Sequence, residues 1–322
     1  GDCVGRAAVF PTSDWQMSRG GAISEWTNAL CAVRNTRQSA GIGMEMAADM
    51  RGLGPLVLVG AGKMGGAMLT GWLERGLDPQ RVTILDPAPP AEMAAFIESH
   101  GLTWHRAAAD AALSPAAVVV IAVKPQMMGE ALPPLKGAVG AETVVVSIAA
   151  GTPIEAFETA FGPVAVVRAM PNTPAQVGRG ITVGYANKRT TVAQRAVVEM
   201  LLSSVGQVGW VEDEALIDAV TALSGSGPAY VFHLVEAMAQ AGRKLGLPDA
   251  LAGQLARATV EGAGELLYRS DLDPATLRKN VTSPGGTTAA ALGVLMDETR
   301  GLPALMEEAM KAAHKRAREL AG

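Results

Sequence analysis

Four apolar residues, Leu56-Val57-Leu58-Val59, run directly into Gly60-Ala61-Gly62-Lys63-Met64-Gly65, and a helical pattern follows. Few folds accept that order. The apolar run is too short for a helix and is bounded by glycine, so it reads as a buried parallel strand. Each glycine of the G-x-G-x-x-G spacing then answers a distinct physical need. Gly60 permits a tight turn, Gly62 lets backbone approach a pyrophosphate, and Gly65 lets helix pack on strand. The start of the following helix adds unpaired N–H donors and partial positive charge. Gly60, Gly62, Lys63, Met64 and Gly65 are thus expected to hold the pyrophosphate of a nicotinamide dinucleotide.

A second strand, Val82–Asp86, closes on an acid 21 residues after Gly65. Asp86 is placed to accept hydrogen bonds from the adenosine ribose hydroxyls, and its charge would repel a 2′-phosphate. No arginine immediately follows it, so the local chemistry favours NADH over NADPH. An acid before Pro87 can also simply start a turn.

Further strands are predicted at Val118–Val123, Thr143–Ile148 and Val164–Arg168, with Ile181–Tyr185 and Gln207–Val211 as later edge strands. Strands alternating with helices or short loops imply a Rossmann-type, doubly wound parallel sheet, an α/β fold. After Val211 the strand signal stops. Six helices are predicted at Glu214–Leu223, Ala229–Leu245, Leu251–Tyr268, Pro274–Asn280, Thr288–Glu298 and Pro303–Leu320, broken at Gly225–Pro228, Gly246–Pro248 and Pro284–Gly286. The chain therefore divides into a dinucleotide-binding domain, 54–211, and an all-helical dimerisation and substrate domain, 212–322. Long apolar helical faces in so small a domain point to a homodimer.

Residues 1–53 lack either periodicity and any apolar signal core, and are read as a disordered leader. Cys3 and Cys31 both lie there, so neither a disulfide framework nor a zinc site is expected in the folded part. The histidines His100, His105, His233 and His314 show no metal-ligand spacing, and no metal is expected. A net charge of -4 argues against nucleic-acid and membrane-surface partners, and no stretch is long and apolar enough to span a bilayer. A soluble, cytoplasmic protein is expected.

Ligands of a doubly wound sheet lie beyond the carboxyl ends of its strands. Three segments fall there: Ala122–Pro125, Ser147–Gly151 and Met170–Pro174. Lys124 is a candidate proton donor, a cofactor contact or a plain surface lysine. Asn172, with Thr173 between two prolines, offers a rigid polar group or a turn. In the helical part, Ser283-Pro284-Gly285-Gly286-Thr287-Thr288 leads into a helix, so several backbone N–H groups converge where a small carboxylate or phosphate could sit. The alternative is a simple N-cap by Ser283 or Thr287.

Gly60–Gly65, Ala122–Pro125, Met170–Pro174, Leu223–Tyr230 and Thr282–Leu295 together resemble pyrroline-5-carboxylate reductases, over residues 55 to 320. The stretch "TSPGGTTAAAL" is the specific element, since the glycine loop is shared with many dehydrogenases. The resemblance implies reduction of a cyclic C=N bond by NADPH or NADH to give L-proline, the last step of proline biosynthesis. It implies that Ser283, Gly285, Gly286, Thr287 and Thr288 bind the substrate carboxylate, largely through backbone N–H groups. The Thr288 hydroxyl would meet the ring nitrogen, orienting the iminium or delivering a proton. It further places Val123, Lys124, Ala150 and Asn280 along the cofactor and Glu214 near the substrate, in dimers that often form decamers. Ala109 stands where many members carry an asparagine that touches the ribose. Two rival readings are a reductase of 3-hydroxy acids, for which Lys244 is the nearest catalytic lysine, and a non-catalytic dinucleotide-binding redox sensor.

Overall fold

The computed structural model describes residues 50–321. The expectation of a disordered leader falls mostly outside them, as do Cys3 and Cys31. Its last four residues do not. Met50 begins a short 3-10 turn, Met50–Gly52, and is fully buried; its N–H lies 3.4 Å from the Arg75 carbonyl. Leu53 is buried too, and its carbonyl accepts from Arg81 Nη1 at 2.9 Å. Ordered structure therefore includes residues before 54, because Met50 and Leu53 join the core cluster that also holds Leu56, Leu58 and Trp72.

Eight strands form one sheet in the order β3-β2-β1-β4-β5-β6-β7-β8. They are β1 (Leu56–Val59), β2 (Val82–Leu85), β3 (Thr103–His105), β4 (Val118–Ile121), β5 (Val144–Ser147), β6 (Ala165–Met170), β7 (Gly180–Ala186) and β8 (Gly206–Trp210). Pairing is parallel from β3 through to β6, β7 runs antiparallel to β6, and β8 parallel to β7. The strand order reverses between β1 and β4, so the crevice at their carboxyl ends is where a dinucleotide belongs. Two expectations need correction. Ile181–Tyr185 is no edge: β7 is flanked on both sides, and β8 is the edge. β3, only three residues with polar Thr103 and His105, carries no apolar run and is an addition to the expected set.

Helices cover both faces. On one, α1 (Lys63–Glu74) buries Met68, Leu69 and Trp72 against Leu56, Leu58 and Ile84. Trp72 Nε1 donates to the Leu201 carbonyl at 2.9 Å, which keeps a large buried ring from stranding its N–H. The other face packs Leu135 and Phe157 against Val57, Val119 and Val145. In chain order the remaining helices of this part are α2 (Ala91–Ser99), α3 (Met128–Ala131), α4 (Ile154–Phe161) and α5 (Val192–Leu202).

Beyond β8 the described chain is helical: α6 (Leu216–Val220), α7 (Gly227–Lys244), α8 (Asp249–Arg269), α9 (Pro274–Asn280), α10 (Thr287–Leu295) and α11 (Leu302–Ala321). The break expected at Gly225–Pro228 takes the form of a π turn, Thr221–Gly225, in which Ser226 N–H donates to the Thr221 carbonyl at 2.9 Å. Such turns are frequent at functional sites. Within this chain α7 buries only Ala239, α8 only Ala252 and Ala256, and α10 no side chain. Val231, Leu234 and Met238, at i, i+3 and i+7 of α7, form an exposed apolar stripe. No described helix is long and apolar enough to cross a membrane.

Candidate active site

The glycine loop is built as its spacing demands. Gly60 has φ +94°, and a Cβ there would come within 2.9 Å of the Ala122 backbone and 3.1 Å of Val123 Cγ1. The ends of β1 and β4 thus touch, which brings Val123 against the turn. A Cβ on Gly65 would sit 2.1 Å from the Gly60 carbonyl oxygen, so helix and strand approach too closely for any side chain. Gly62 differs. A Cβ there meets nothing within 4 Å, and Gly62 is the N-cap of α1 with no side chain capping it. The Lys63 and Met64 N–H groups therefore lack intrahelical partners and border open space. That cradle fits a pyrophosphate.

Asp86 is buried, with 9% of its surface exposed, yet it does not simply face the cleft. Its Oδ2 accepts from Ala61 N–H at 2.6 Å and its Oδ1 from Ala88 N–H at 2.9 Å. Trp104 Nε1 donates to the Asp86 carbonyl at 2.9 Å. The turn reading holds, and the acid also ties the glycine loop to the loop after β2. Each oxygen keeps a second lone pair, so a ribose hydroxyl can still be accepted.

Lys124 follows β4 at the N-cap of the 3-10 turn Pro125–Met127 and is exposed. Ala150 follows β5, in a loop that turns at Gly151 (φ +71°). Asn172 follows β6, and its Oδ1 accepts from Ile181 N–H at 3.0 Å, so that oxygen anchors β7. Glu214, expected near the substrate, is tied to two other elements of the fold. Its Oε1 accepts from Ile154 N–H at 2.9 Å and from Arg168 Nη1 at 3.2 Å. Arg168 Nη2 reaches Asp218 Oδ1 at 3.1 Å. Glu214 is thus held through Oε1 in an ionic cluster with Arg168 and Asp218, with 28% of its side chain exposed. Sequence reasoning passes over Arg168 and Asp218. A lone arginine in the otherwise apolar run Val164–Met170 is the available signal.

In the helical part, Gly285 takes φ +69° and Gly286 is the N-cap of α10, again with no capping side chain. The simple N-cap by Ser283 or Thr287 is not what forms. Ser283 Oγ lies where it would be 2.5 Å from a Cβ on Gly286, and the Gly286 N–H donates to the Ser283 carbonyl at 3.1 Å. Gly286 therefore closes the turn with its N–H. The donors without intrahelical acceptors are those of the first turn, Thr287, Thr288 and Ala289. Thr288 is half-buried, and Asn280, ending α9, is exposed. Two capped aspartates bracket this segment. Asp273, N-cap of α9, is held below the usual carboxylate range by the Thr276 hydroxyl and N–H and by Ala275 N–H. Asp297, beyond α10, is lowered by the Thr299 hydroxyl and the Arg300 and Thr299 N–H groups. Among the described residues no group of three or more His, Cys, Asp or Glu could hold a metal.

Comparison with known proteins agrees with this geometry. Residues 214–320 match the family model described as pyrroline-5-carboxylate reductase dimerisation, and residues 55–151 match NADP oxidoreductase, coenzyme F420-dependent. A pyrroline-5-carboxylate reductase of Pseudomonas aeruginosa is 42% identical over 267 residues, 83% of this chain and 96% of the relative. That of Pisum sativum is 37% identical over 265 residues, 82% of this chain and 95% of its own. Among solved structures, a pyrroline-5-carboxylate reductase from Coxiella burnetii superposes with TM-score 0.77 at 35% identity, covering 84% of this chain and 99% of that one. The Plasmodium falciparum enzyme, solved with NADP bound, gives TM-score 0.69 at 27% identity, covering 85% and 100%.

Proposed function

This chain belongs to the pyrroline-5-carboxylate reductase family, and from that premise we propose how its residues divide the work of reducing 1-pyrroline-5-carboxylate to L-proline. Its cofactor is a nicotinamide dinucleotide, NADPH or NADH. The observation that carries the reading is the pair of uncapped helix starts, Gly62 on α1 and Gly286 on α10. Each presents backbone donors to an anion, and they lie on separate parts of the chain. One suits a pyrophosphate and the other a small carboxylate.

The first-turn N–H groups of α1 hold the pyrophosphate, while Val123, Lys124 and Ala150 line the cofactor beyond β4 and β5. When bound, the reduced nicotinamide supplies a hydride to the imine carbon. The N–H groups of Thr287, Thr288 and Ala289 hold the substrate carboxylate, which fixes the ring on the α10 side. Thr288 Oγ accepts a hydrogen bond from the protonated ring nitrogen and orients it. As the carbon–hydrogen bond forms, the C=N π pair becomes the lone pair of the product amine. A protonated imine is already electrophilic, so orientation and proximity are the main contributions asked of the protein.

The parts are assigned as residues 54–211 for the cofactor and 212–322 for substrate and dimerisation, with Met50–Leu53 joined to the former. A homodimer completes the site. α10 buries no side chain in its own chain, and α7 and α8 expose apolar stripes, so a partner's helices cover them. Assembly of dimers into a decamer and a cytoplasmic location complete the proposal. Lys244, the nearest candidate for a 3-hydroxy acid reductase, ends α7 beside Gly246 rather than projecting from the middle of a long helix, which speaks against that reading. A reduced cofactor with both nicotinamide C4 hydrogens replaced by deuterium tests the route. Label is expected on the former imine carbon of proline, and unlabelled proline would refute hydride transfer.

A further inference from the structure

The loop from Ala149 to Pro153 connects β5 to α4 and carries Ala150, a proposed cofactor contact. Its two anchors come from the helical part of the chain. At Gly151, a Cβ would lie 3.0 Å from the Leu320 carbonyl oxygen, so the end of α11 presses on the turn. At the far side, Pro153 is the N-cap of α4 and supplies no capping side chain. The first N–H of that helix, Ile154, is satisfied instead by Glu214, 60 residues away.

Glu214 is held in turn by Arg168. That arginine rises from β6 with 4% of its side chain exposed and bridges Glu214 to Asp218. Its Nε is buried and has no hydrogen-bond partner. A buried guanidinium between two partly exposed carboxylates, with one of its donors left over, is not an arrangement that maximises stability. It is an arrangement that fixes direction. A planar fork with two of its nitrogens engaged permits one orientation of the carboxylate that caps α4.

We propose that Arg168 is a positioning residue, which acts through Glu214 and Ile154 to set the Ala149–Pro153 loop against the bound cofactor. The proposal rests on the reading of that loop as a cofactor contact. It makes β6 and α6 parts of one device, so an alteration at Arg168 is felt at the cofactor before the substrate.

The test uses the full-length protein with Arg168→Met and Arg168→Lys. NADPH binding is followed by fluorescence titration, and steady-state kinetics by varying each substrate at saturating levels of the other. Arg168→Met is expected to raise the NADPH Kd about tenfold, the scale of one lost charge-assisted hydrogen bond. KM for pyrroline-5-carboxylate at saturating cofactor should stay within about twofold, since an interaction made only with the cofactor shows in its own constants. Arg168→Lys, keeping one charged bond to Glu214, should recover part of the affinity. If Arg168→Met does not fold, the Lys variant alone still decides, because its Kd must exceed that of the unmodified protein. Variants with unchanged Kd and only a lower melting temperature overturn the proposal while leaving the cofactor site intact. The same titrations are run with NADH, and failure of the unmodified protein to bind either cofactor overturns the site reading and the proposal together.

Discussion

Asp86 Oδ2 accepts a hydrogen bond from the Ala61 N–H at 2.6 Å, across 25 residues of chain. The carboxylate at the end of β2 thus pins the middle of the glycine loop, while its other oxygen holds Ala88 N–H. Charge repulsion of a 2′-phosphate is one consequence of an acid at this position; loop anchoring is the other, and it serves both cofactors alike. Asp86→Ala should therefore raise the KM of NADH and of NADPH together, by about tenfold for a lost hydrogen bond to a charged group. Steady-state kinetics with each cofactor check this. A selective gain for NADPH, with NADH alone impaired, would show instead that ribose reading dominates.

Gly62 and Gly65 belong to one fingerprint but fail in different ways. Alanine at Gly65 drives a methyl into the Gly60 carbonyl, and overpacking of that kind costs about 1–3 kcal/mol or more. Alanine at Gly62 meets no protein atom within 4 Å. Gly65→Ala should lower the melting temperature by several degrees, whereas Gly62→Ala should melt like the unmodified protein and bind dinucleotide at least about tenfold more weakly. Calorimetry and cofactor titration on the pair separate the two.

The parallel strands and the glycine turn are legible in the sequence because apolar runs such as Val118–Ile121 and Val144–Ser147 are buried on both faces and leave no ambiguity of period. The glycine turn before α10 is legible for a related reason: Gly285 and Gly286 have no role in a helix except to end or begin one. Side-chain partnerships across the fold are not legible. Nothing local to Glu214 says that its carboxylate caps α4 across 60 residues, or that Arg168 comes from a strand to meet it. The place of Asn172 after β6 suits a nicotinamide contact; that its Oδ1 is taken by Ile181 N–H is something only the β7 register reveals. Met50 reads as leader because a single buried methionine ahead of a strand has no periodicity to betray it.

Met50 supplies a separate test. Its side chain is fully buried beside Trp72 and Leu77 in the same core cluster. Met50→Ala should cost about 2–5 kcal/mol, by the lost transfer energy and the cavity left behind. Urea unfolding measures it. By the same reasoning a chain beginning at Gly54 should be less stable than one beginning at Met50. Equal midpoints would place Met50 outside the core.

The stripe Val231, Leu234 and Met238 on α7 tests the assembly. Leu234→Glu introduces a charge into a face that a partner must desolvate, a change expected to dissociate the dimer. Sedimentation should show a folded monomer with little reductase activity. A fully active monomer would mean that each site is complete within one chain.

Imine reduction itself is tested most directly by mixing purified protein with pyrroline-5-carboxylate and either reduced cofactor, and comparing it with Thr288→Ala. Cofactor oxidation dependent on the imine, matched by L-proline mole for mole, is the predicted result. The variant should bind cofactor normally but turn over at least about tenfold more slowly. Absence of imine-dependent oxidation with both cofactors, or a Thr288→Ala variant as fast as the unmodified protein, would contradict the proposed chemistry.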